Sequence, residues 1–412
     1  MEKKDTQLLR ASTILFVLNI TASALNYLCQ LVLARVLSVE SYGTVNTIFS
    51  FMMIVAVPGT TLTMVVAKYY ASGCGKEGKR QYLVKQLKVV LILTVVVFFL
   101  LCIGKNFWGK ILSINDTFVL MMAFILAALG FFQPLYSGVF SGNKRFILVG
   151  IYSMFIPLYK LVAVGGAYIS TQNDNYRLYM VLLIMLGGVI VTALYGQYES
   201  KKIVKKYGTE LGKERLYSFE DLKTLILNIS LMLYMNIDLL SVRYLGNETE
   251  SGLYSSALLF GRIIYYFATT LGTILLPSVA DMSIDEKGRR KTLNRALSSM
   301  IIFALICMLP INIFKNFFIG ILYGADYLPA AKYVIYVSII SISLSVCTIM
   351  VNYVVGIART KNATRIMCVM DVLLVIAVFI ADSVKNSLIA ICAIGIIGAI
   401  TIYIAEYREK TK

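Results

Sequence analysis

A chain of 412 residues that is 58% hydrophobic and 15% charged, with a mean hydropathy of +0.77, excludes a disordered protein and is difficult to fold as a soluble domain. The net charge of +17 is spread over many short segments rather than one patch, which sets nucleic acid aside as a partner. Histidine is absent and the seven cysteines are scattered without CxxC spacing, so no metal, cofactor or disulfide framework is expected, and nothing indicates an enzyme.

Apolar segments fall at 11–36, 43–67, 89–104, 118–140, 146–170, 178–197, 222–245, 252–279, 293–313, 331–357, 364–381 and 386–405. A hydrocarbon core of about 30 Å takes roughly 20 helical residues, so these segments predict an all-α integral membrane protein with about 12 transmembrane helices. Short strands of alternating polarity are absent, which argues against a β-barrel. Span 1 is too long for the apolar region of a signal peptide and is expected to remain as an anchor.

Basic residues fix the expected orientation, because Lys and Arg are retained on the cytoplasmic side. With a cytoplasmic N-terminus, 29 of the 39 basic residues fall in inner segments and eight at outer ends. The other two, Lys160 and Arg262, lie inside spans. Both termini are therefore expected in the cytoplasm.

The longest loop, 198–221, is basic and separates two sets of six spans. It divides the chain into an N-terminal lobe, 1–197, and a C-terminal lobe, 222–412. Internal echoes support the division. Leu33-Ala-Arg35-Val-Leu37 followed by Glu40-Ser-Tyr-Gly43 matches Ser241-Val-Arg243-Tyr-Leu245 followed by Glu250-Ser-Gly252, and Gly142-Asn-Lys144 matches Gly356-Ile-Ala-Arg359. An even number of spans per repeat makes the two halves parallel repeats about an axis along the membrane normal.

Polar groups inside the spans mark where the interior is wet. Asn19, Ser23, Asn26 and Gln30 share one face of span 1, and Ser338, Ser341, Ser345, Thr348 and Asn352 share one face of span 10. Such stripes serve either as helix–helix glue or as the lining of a polar cavity. Span 8 carries Ser255, Arg262 and Thr269 at seven-residue spacing, with Tyr265 and Tyr266 beside them. Charges in mid-membrane cost about 2.5–3.5 kcal/mol even on a lenient scale and normally face a partner or water.

Depth can be counted from the outer end of each predicted helix. Lys160 is ten residues from Ser170, Arg262 ten from Gly252 and Asn26 ten from Val36, each about 15 Å down. Asp238 is eight residues from Gly246, or about 12 Å down. The four polar groups fall near one level, and two cations with one carboxylate leave it positive. Asp238 is read either as neutralising Arg262 in a buried pair, or as an ion-coupling switch whose bond to Arg262 breaks when an anion arrives and frees the carboxylate for H+ or Na+. Asp371 in span 11 either pairs locally with Lys361 or Arg365 or has a role of its own. Pro58 with Gly59, Pro134 and Pro157 are expected to kink spans 2, 4 and 5. No Walker A sequence, potassium filter or Arg-rich voltage sensor is present, which argues against an ATP-driven pump or a familiar channel.

A resemblance emerges from Leu8-Leu-Arg-Ala-Ser12, from Leu33-Ala-Arg-Val-Leu-Ser-Val-Glu-Ser-Tyr-Gly43, and from Asp238-Leu-Leu, Gly252-Leu-Tyr254-Ser-Ser-Ala257, Leu276-Pro277, Leu322-Tyr-Gly324-Ala-Asp-Tyr327 and Asn352 with Gly356. Together they resemble the polysaccharide flippases, of O-antigen and capsule type, in the multidrug/oligosaccharidyl-lipid/polysaccharide exporter superfamily. The resemblance implies two six-helix lobes around a central cleft lined mainly by spans 1, 2, 7 and 8. It also implies alternating access that moves a lipid-linked oligosaccharide, on undecaprenyl diphosphate, across a bacterial cytoplasmic membrane for cell-surface polysaccharide biosynthesis. A diphosphate needs cations, which points to Lys160 and Arg262 with Asn26, Gln30 and Tyr266 as substrate-binding residues. The expected partners are the lipid-linked oligosaccharide, H+ or Na+, and a polysaccharide polymerase with its assembly proteins. The alternatives are a cation-coupled multidrug or small-molecule transporter, of the same superfamily or a major facilitator, and a non-transporting membrane scaffold.

The basic asymmetry has a direct test. In a cysteine-free background, single cysteines placed in 198–221 or 281–292 are expected to be shielded from impermeant thiol reagents in intact cells. Ready labelling at those sites inverts the topology.

Overall fold

Lipid offers no hydrogen bonds, so a chain this apolar must satisfy its backbone from within, and every regular element among the described residues is helical. A computed structural model describes residues 2–71, 76–170, 173–205, 219–280 and 285–408. The helices in chain order are α1 (Glu2–Val36), α2 (Val39–Val55), α3 (Val57–Ala71), α4 (Lys76–Ile103), α5 (Lys105–Leu112), α6 (Thr117–Leu129), α7 (Phe132–Gly142), α8 (Phe146–Ile169) and α9 (Asp174–Lys205). They continue with α10 (Phe219–Leu245), α11 (Glu248–Ala280), α12 (Glu286–Ile313), α13 (Lys315–Leu322), α14 (Val334–Gly356), α15 (Thr360–Ile380) and α16 (Val384–Arg408). A 3₁₀ stretch, Ala325–Lys332, precedes α14.

Among the described residues ten helices are long and apolar enough to span a membrane, the bent pair α2–α3 makes eleven, and α1 adds the shorter apolar stretch Ile20–Val36. Each of the twelve expected spans has its counterpart in this set. Two of the three expected proline kinks are breaks between helices. Pro58 has no N–H to give the Ile54 carbonyl, and α2 and α3 meet at Ala56 with a bend of 46°. Pro134 cannot bond the Gly130 carbonyl, and the chain breaks between α6 and α7 there. Pro157, by contrast, sits inside a continuous α8.

The chain divides into two compact units. The first contains 1–41, 51–110 and 114–218; the second contains 42–50, 111–113 and 219–412. The expected linker 198–221 begins as the last two turns of α9, its residues 206–218 lie outside the described residues, and 219–221 open α10. In the first unit the two breaks pack together. A Cβ at Gly59 would lie 2.6 Å from the Pro134 ring, and the Thr63 hydroxyl donates to the Pro134 carbonyl at 2.9 Å. Tyr70, Tyr136, Phe140 and Tyr152 fill the adjoining core. The second unit is centred on α11 and α14, which approach through small residues: a Cβ at Gly261 would meet Ser341 Oγ at 2.0 Å, and one at Gly272 would meet the Asn352 amide at 2.6 Å. The polar face of span 10 is therefore largely a packing seam.

The structure makes the duplication plainer. Gly43 is the fifth residue of α2 and Gly252 the fifth of α11. After the fourth helix, and again after the twelfth, comes an eight-residue helix that opens Lys-Asn-Phe: Lys105-Asn106-Phe107 in α5 and Lys315-Asn316-Phe317 in α13. Each keeps a phenylalanine exposed, Phe107 and Phe317, as expected of helices lying in a membrane interface.

Gly43 has no room for a side chain: a Cβ there would stand 2.4 Å from the Gly252 nitrogen and 2.5 Å from the Glu248 carbonyl oxygen, both backbone atoms of the same unit. Gly43→Ala is expected to cost about 1–3 kcal/mol through overpacking and to lower the melting temperature of the detergent-solubilised protein. An unchanged melting curve contradicts this packing.

Candidate functional site

In the first unit, α1 and α8 run against each other closely enough that a Cβ at Gly150 would meet Leu18 at 2.5 Å. Their contact is polar further along. Lys160 Nζ donates to Asn26 Oδ1 at 2.9 Å, and one turn away Cys29 Sγ donates to the Pro157 carbonyl at 3.4 Å. Lys160 and Asn26 are half-buried. Gln30, one turn beyond Asn26, is 9% exposed and its Oε1 has no hydrogen-bond partner among the described residues. A buried amide oxygen without a donor is costly. The α1–α8 seam thus gathers a cation, a paired amide and an amide oxygen with spare capacity, three of the residues singled out from sequence.

The second unit holds Asp238, Arg262 and Tyr266. Asp238 is 1% exposed; its Oδ2 accepts from the Tyr254 hydroxyl at 2.8 Å and its Oδ1 from the Leu239 N–H at 2.7 Å. The Arg262 guanidinium is half-buried, donates through Nη2 to the Met235 carbonyl at 3.2 Å, and leaves Nη1 without a partner among the described residues. Tyr266, one turn along α11 from Arg262, is half-buried; its carbonyl accepts the Thr269 and Thr270 hydroxyls.

The direct Asp238–Arg262 bond expected from sequence is not formed. Its absence has a simple cause in the helix boundary. The α10–α11 turn is only Gly246-Asn247, and α11 begins at Glu248 rather than near Gly252. Arg262 is therefore fourteen residues into α11, about 21 Å, whereas Asp238 is seven residues from the end of α10, about 10 Å. Tyr254 occupies the level of Asp238, and Arg262 reaches the α10 backbone one turn deeper. A switch in which an arriving anion parts Asp238 from Arg262 has no bond to break in this structure.

Other charged groups have clear structural duties. Arg243 is fully buried and each nitrogen of its guanidinium is engaged: Nε donates to the Leu112 carbonyl at 2.6 Å, Nη2 to the Ser113 carbonyl and Glu248 Oε1 at 2.9 Å each, and Nη1 to Ser251 Oγ at 3.1 Å. Asp371 Oδ2 accepts from the Ser230 hydroxyl, and its buried Oδ1 is unpartnered among the described residues. At the start of α4, Arg80, Lys85 and Lys88 line a recess of about 540 Å³ together with Gln81 and Val84.

With this architecture in view, comparison with solved structures is informative. The lipid II flippase MurJ in an inward closed conformation superposes with a TM-score of 0.71, over 96% of this chain and 87% of that one, at 15% identity. This chain shares the fold of that flippase. An inward-facing multidrug resistance MATE family transporter gives 0.64 over 93% and 94% of the two chains, at 15% identity. A MOP-superfamily transporter from Pyrococcus furiosus gives 0.58 over 98% and 95%, also at 15% identity. No protein-family model matches. An uncharacterized membrane protein of Methanocaldococcus jannaschii is 24% identical over 277 residues, 64% of this chain. The chain spans about half the length of that relative, 53%. The solved structures it superposes on are thus a flippase and transporters.

Sequence reasoning missed Tyr254 as the partner of Asp238, although the residue stood in the quoted Gly252-Leu-Tyr254 motif. Sixteen residues separate the two, and only the tight hairpin brings them together. Tyr254→Phe removes the hydroxyl donor from a buried carboxylate and is expected to cost about 1–3 kcal/mol, read as a lower melting temperature in detergent. A variant as stable as the parent shows that Asp238 does not depend on that bond.

Proposed function

We propose that the chain is a flippase that moves a lipid-linked oligosaccharide, carried on undecaprenyl diphosphate, from the cytoplasmic to the outer leaflet by alternating access, for cell-surface polysaccharide biosynthesis. One observation carries the choice of an anionic substrate. Asp238 is 1% exposed and held by Tyr254, while Lys160 and Arg262 are half-buried, and the enclosed Arg262 Nη1 has no partner among the described residues; Asp371, a second carboxylate within a span, is half-buried against the Ser230 hydroxyl. A cationic drug needs an accessible carboxylate, and a diphosphate needs accessible donors. Gln30 and Asn26 add hydrogen-bonding groups beside Lys160, and Tyr266 lies one turn from Arg262. Asp238 supplies the coupling site for H+ or Na+ in this reading, with Tyr254 rather than Arg262 as the group it releases.

The flippase likeness supports the reading, as does the resemblance of the Leu33–Gly43 and Asp238–Ala257 motifs to polysaccharide flippases. The Pyrococcus furiosus transporter also bears on it, since reversed polarity of its binding pocket has been taken to suggest a different function within the superfamily. Cytoplasmic termini, residence in a bacterial cytoplasmic membrane and a polymerase as partner belong to the same proposal. The second reading, cation-coupled multidrug transport, rests on the MATE likeness and on the presence of a carboxylate within a span.

The test is transport by purified protein in liposomes. Lys160→Gln and Arg262→Gln are each expected to slow flipping of a polyprenyl-diphosphate oligosaccharide at least about tenfold, the equivalent of one charge-assisted hydrogen bond, while eluting as folded protein. Two variants that flip at the parental rate refute the site. Export of a cationic dye with no lipid flipping favours the multidrug reading.

A further inference from the structure

A feature of the second unit stands apart from these residues. Helices α12, α14 and α16 enclose a groove of about 700 Å³ whose lining includes Asn294, Ser298, Ile301, Ile400 and Tyr403. Its polarity is graded along its length. Along the lining, α12 presents Asn294, Ser298 and Ile301 and α16 presents Tyr403, Ile400 and Ile396, with Arg290 and Tyr407 one turn beyond them on the same two helices. One end is cationic, the middle carries an amide and hydroxyls, and the far end is branched aliphatic. The Tyr403 hydroxyl and Asn294 Oδ1 stand 3.5 Å apart across the middle.

The cationic end is built on the Tyr407 ring. The Arg290 guanidinium lies 4.6 Å from the centroid of the Tyr407 ring and donates to the Tyr407 carbonyl at 3.4 Å. Two acids, Glu286 and Glu406, share the neighbouring Arg359 at 3.3 Å and 3.7 Å. No ion pair is formed by Arg290 among the described residues, and exposed Lys287 and Lys291 flank it on the same turn. From Arg290 to Ile301 is eleven residues of helix, about 16 Å, which is close to half of a hydrocarbon core of about 30 Å.

We propose that this groove binds one anionic membrane phospholipid, its phosphate at Arg290, its ester region against Asn294, Ser298 and Tyr403, and an acyl chain against Ile301 and Ile400. The order cation, amide and hydroxyl, aliphatic is the order of chemistry along a phospholipid, and the depth is that of one leaflet. Charge complementarity sets the headgroup, since Arg290 with exposed Lys287 and Lys291 forms a cluster of interfacial cations, which favours anionic lipid. A groove of about 700 Å³ falls in the range of about 300–1,000 Å³ typical of sites for small amphiphiles. A helix from a second copy of the chain would call for an apolar seam of small residues along the whole length, not a polar third.

Native mass spectrometry of the full-length protein, extracted in mild detergent, tests this. One retained phospholipid with an acidic headgroup is expected per chain. Arg290→Gln, a change at the groove's outer end, is expected to lower the retained fraction about fivefold. Ile400→Trp, which fills the groove, is expected to remove it. In a melting assay, phosphatidylglycerol should raise the melting temperature of the parent more than phosphatidylcholine does, and should lose that advantage with Arg290→Gln. Equal retention in the parent and both variants, equal retention of neutral phospholipid, a polyprenyl phosphate in place of the phospholipid, or a dimer that Ile400→Trp dissociates would each overturn the proposal.

Discussion

Hydrocarbon solvates neither a peptide group nor a charge, and that constraint shapes the fold at every scale. At the smallest, hydroxyls and amides within the spans turn back on their own helices: Ser338 donates to the Val334 carbonyl, Thr348 to Leu344, Asn352 to Thr348 and Thr364 to Thr360. One level up, a guanidinium with no access to water organises the chain around itself. Arg243 draws in the carbonyls that end α5, a serine and a glutamate of α11, and so fixes where two helix termini lie. Removing any one acceptor would leave a buried donor unpaired, which is costlier than the bond is favourable.

The same constraint separates structural charges from those with spare capacity. Arg243 and Asp238 have both been enclosed and satisfied, the first by four acceptors and the second by Tyr254 and the Leu239 N–H. Lys160 and Arg262 are left half-open, and each bonds a neutral acceptor, an amide oxygen in one unit and a backbone carbonyl in the other. Counting ionisable residues within spans would rank all four alike; the distribution of their partners ranks them differently.

Much of the architecture was legible in the sequence because hydropathy at membrane scale is a strong signal, and each of the twelve apolar segments has a helical counterpart. The shared level of Lys160 and Asn26 was legible too, counted from Ser170 and Val36, and the structure adds the bond between them. The level of Arg262 was not, because Glu248 and Glu250 read as loop residues but open a helix, where acids are favoured by the dipole. That four-residue error moved Arg262 about 6 Å and exchanged its partner. The paired Lys-Asn-Phe helices were missed for another reason. Eight residues are too few to register as a span, although their repetition at Lys105 and Lys315 is as clear as the Arg35 and Arg243 echo.

Duplication explains the backbone, and divergence at matching positions explains the chemistry laid on it. Lys160 lies nine residues before the end of α8, and Asp371 lies nine before the end of α15, the corresponding helix of the second repeat. Each bonds the first helix of its own repeat, Lys160 through Asn26 on α1 and Asp371 through Ser230 on α10. One scaffold position therefore carries a cation in one unit and a carboxylate in the other, with a small polar residue as neighbour in both. Two copies that began with the same fold have become electrically opposite at this point. The two repeats therefore share a helix-to-helix contact at this position while differing in the sign of the group that makes it.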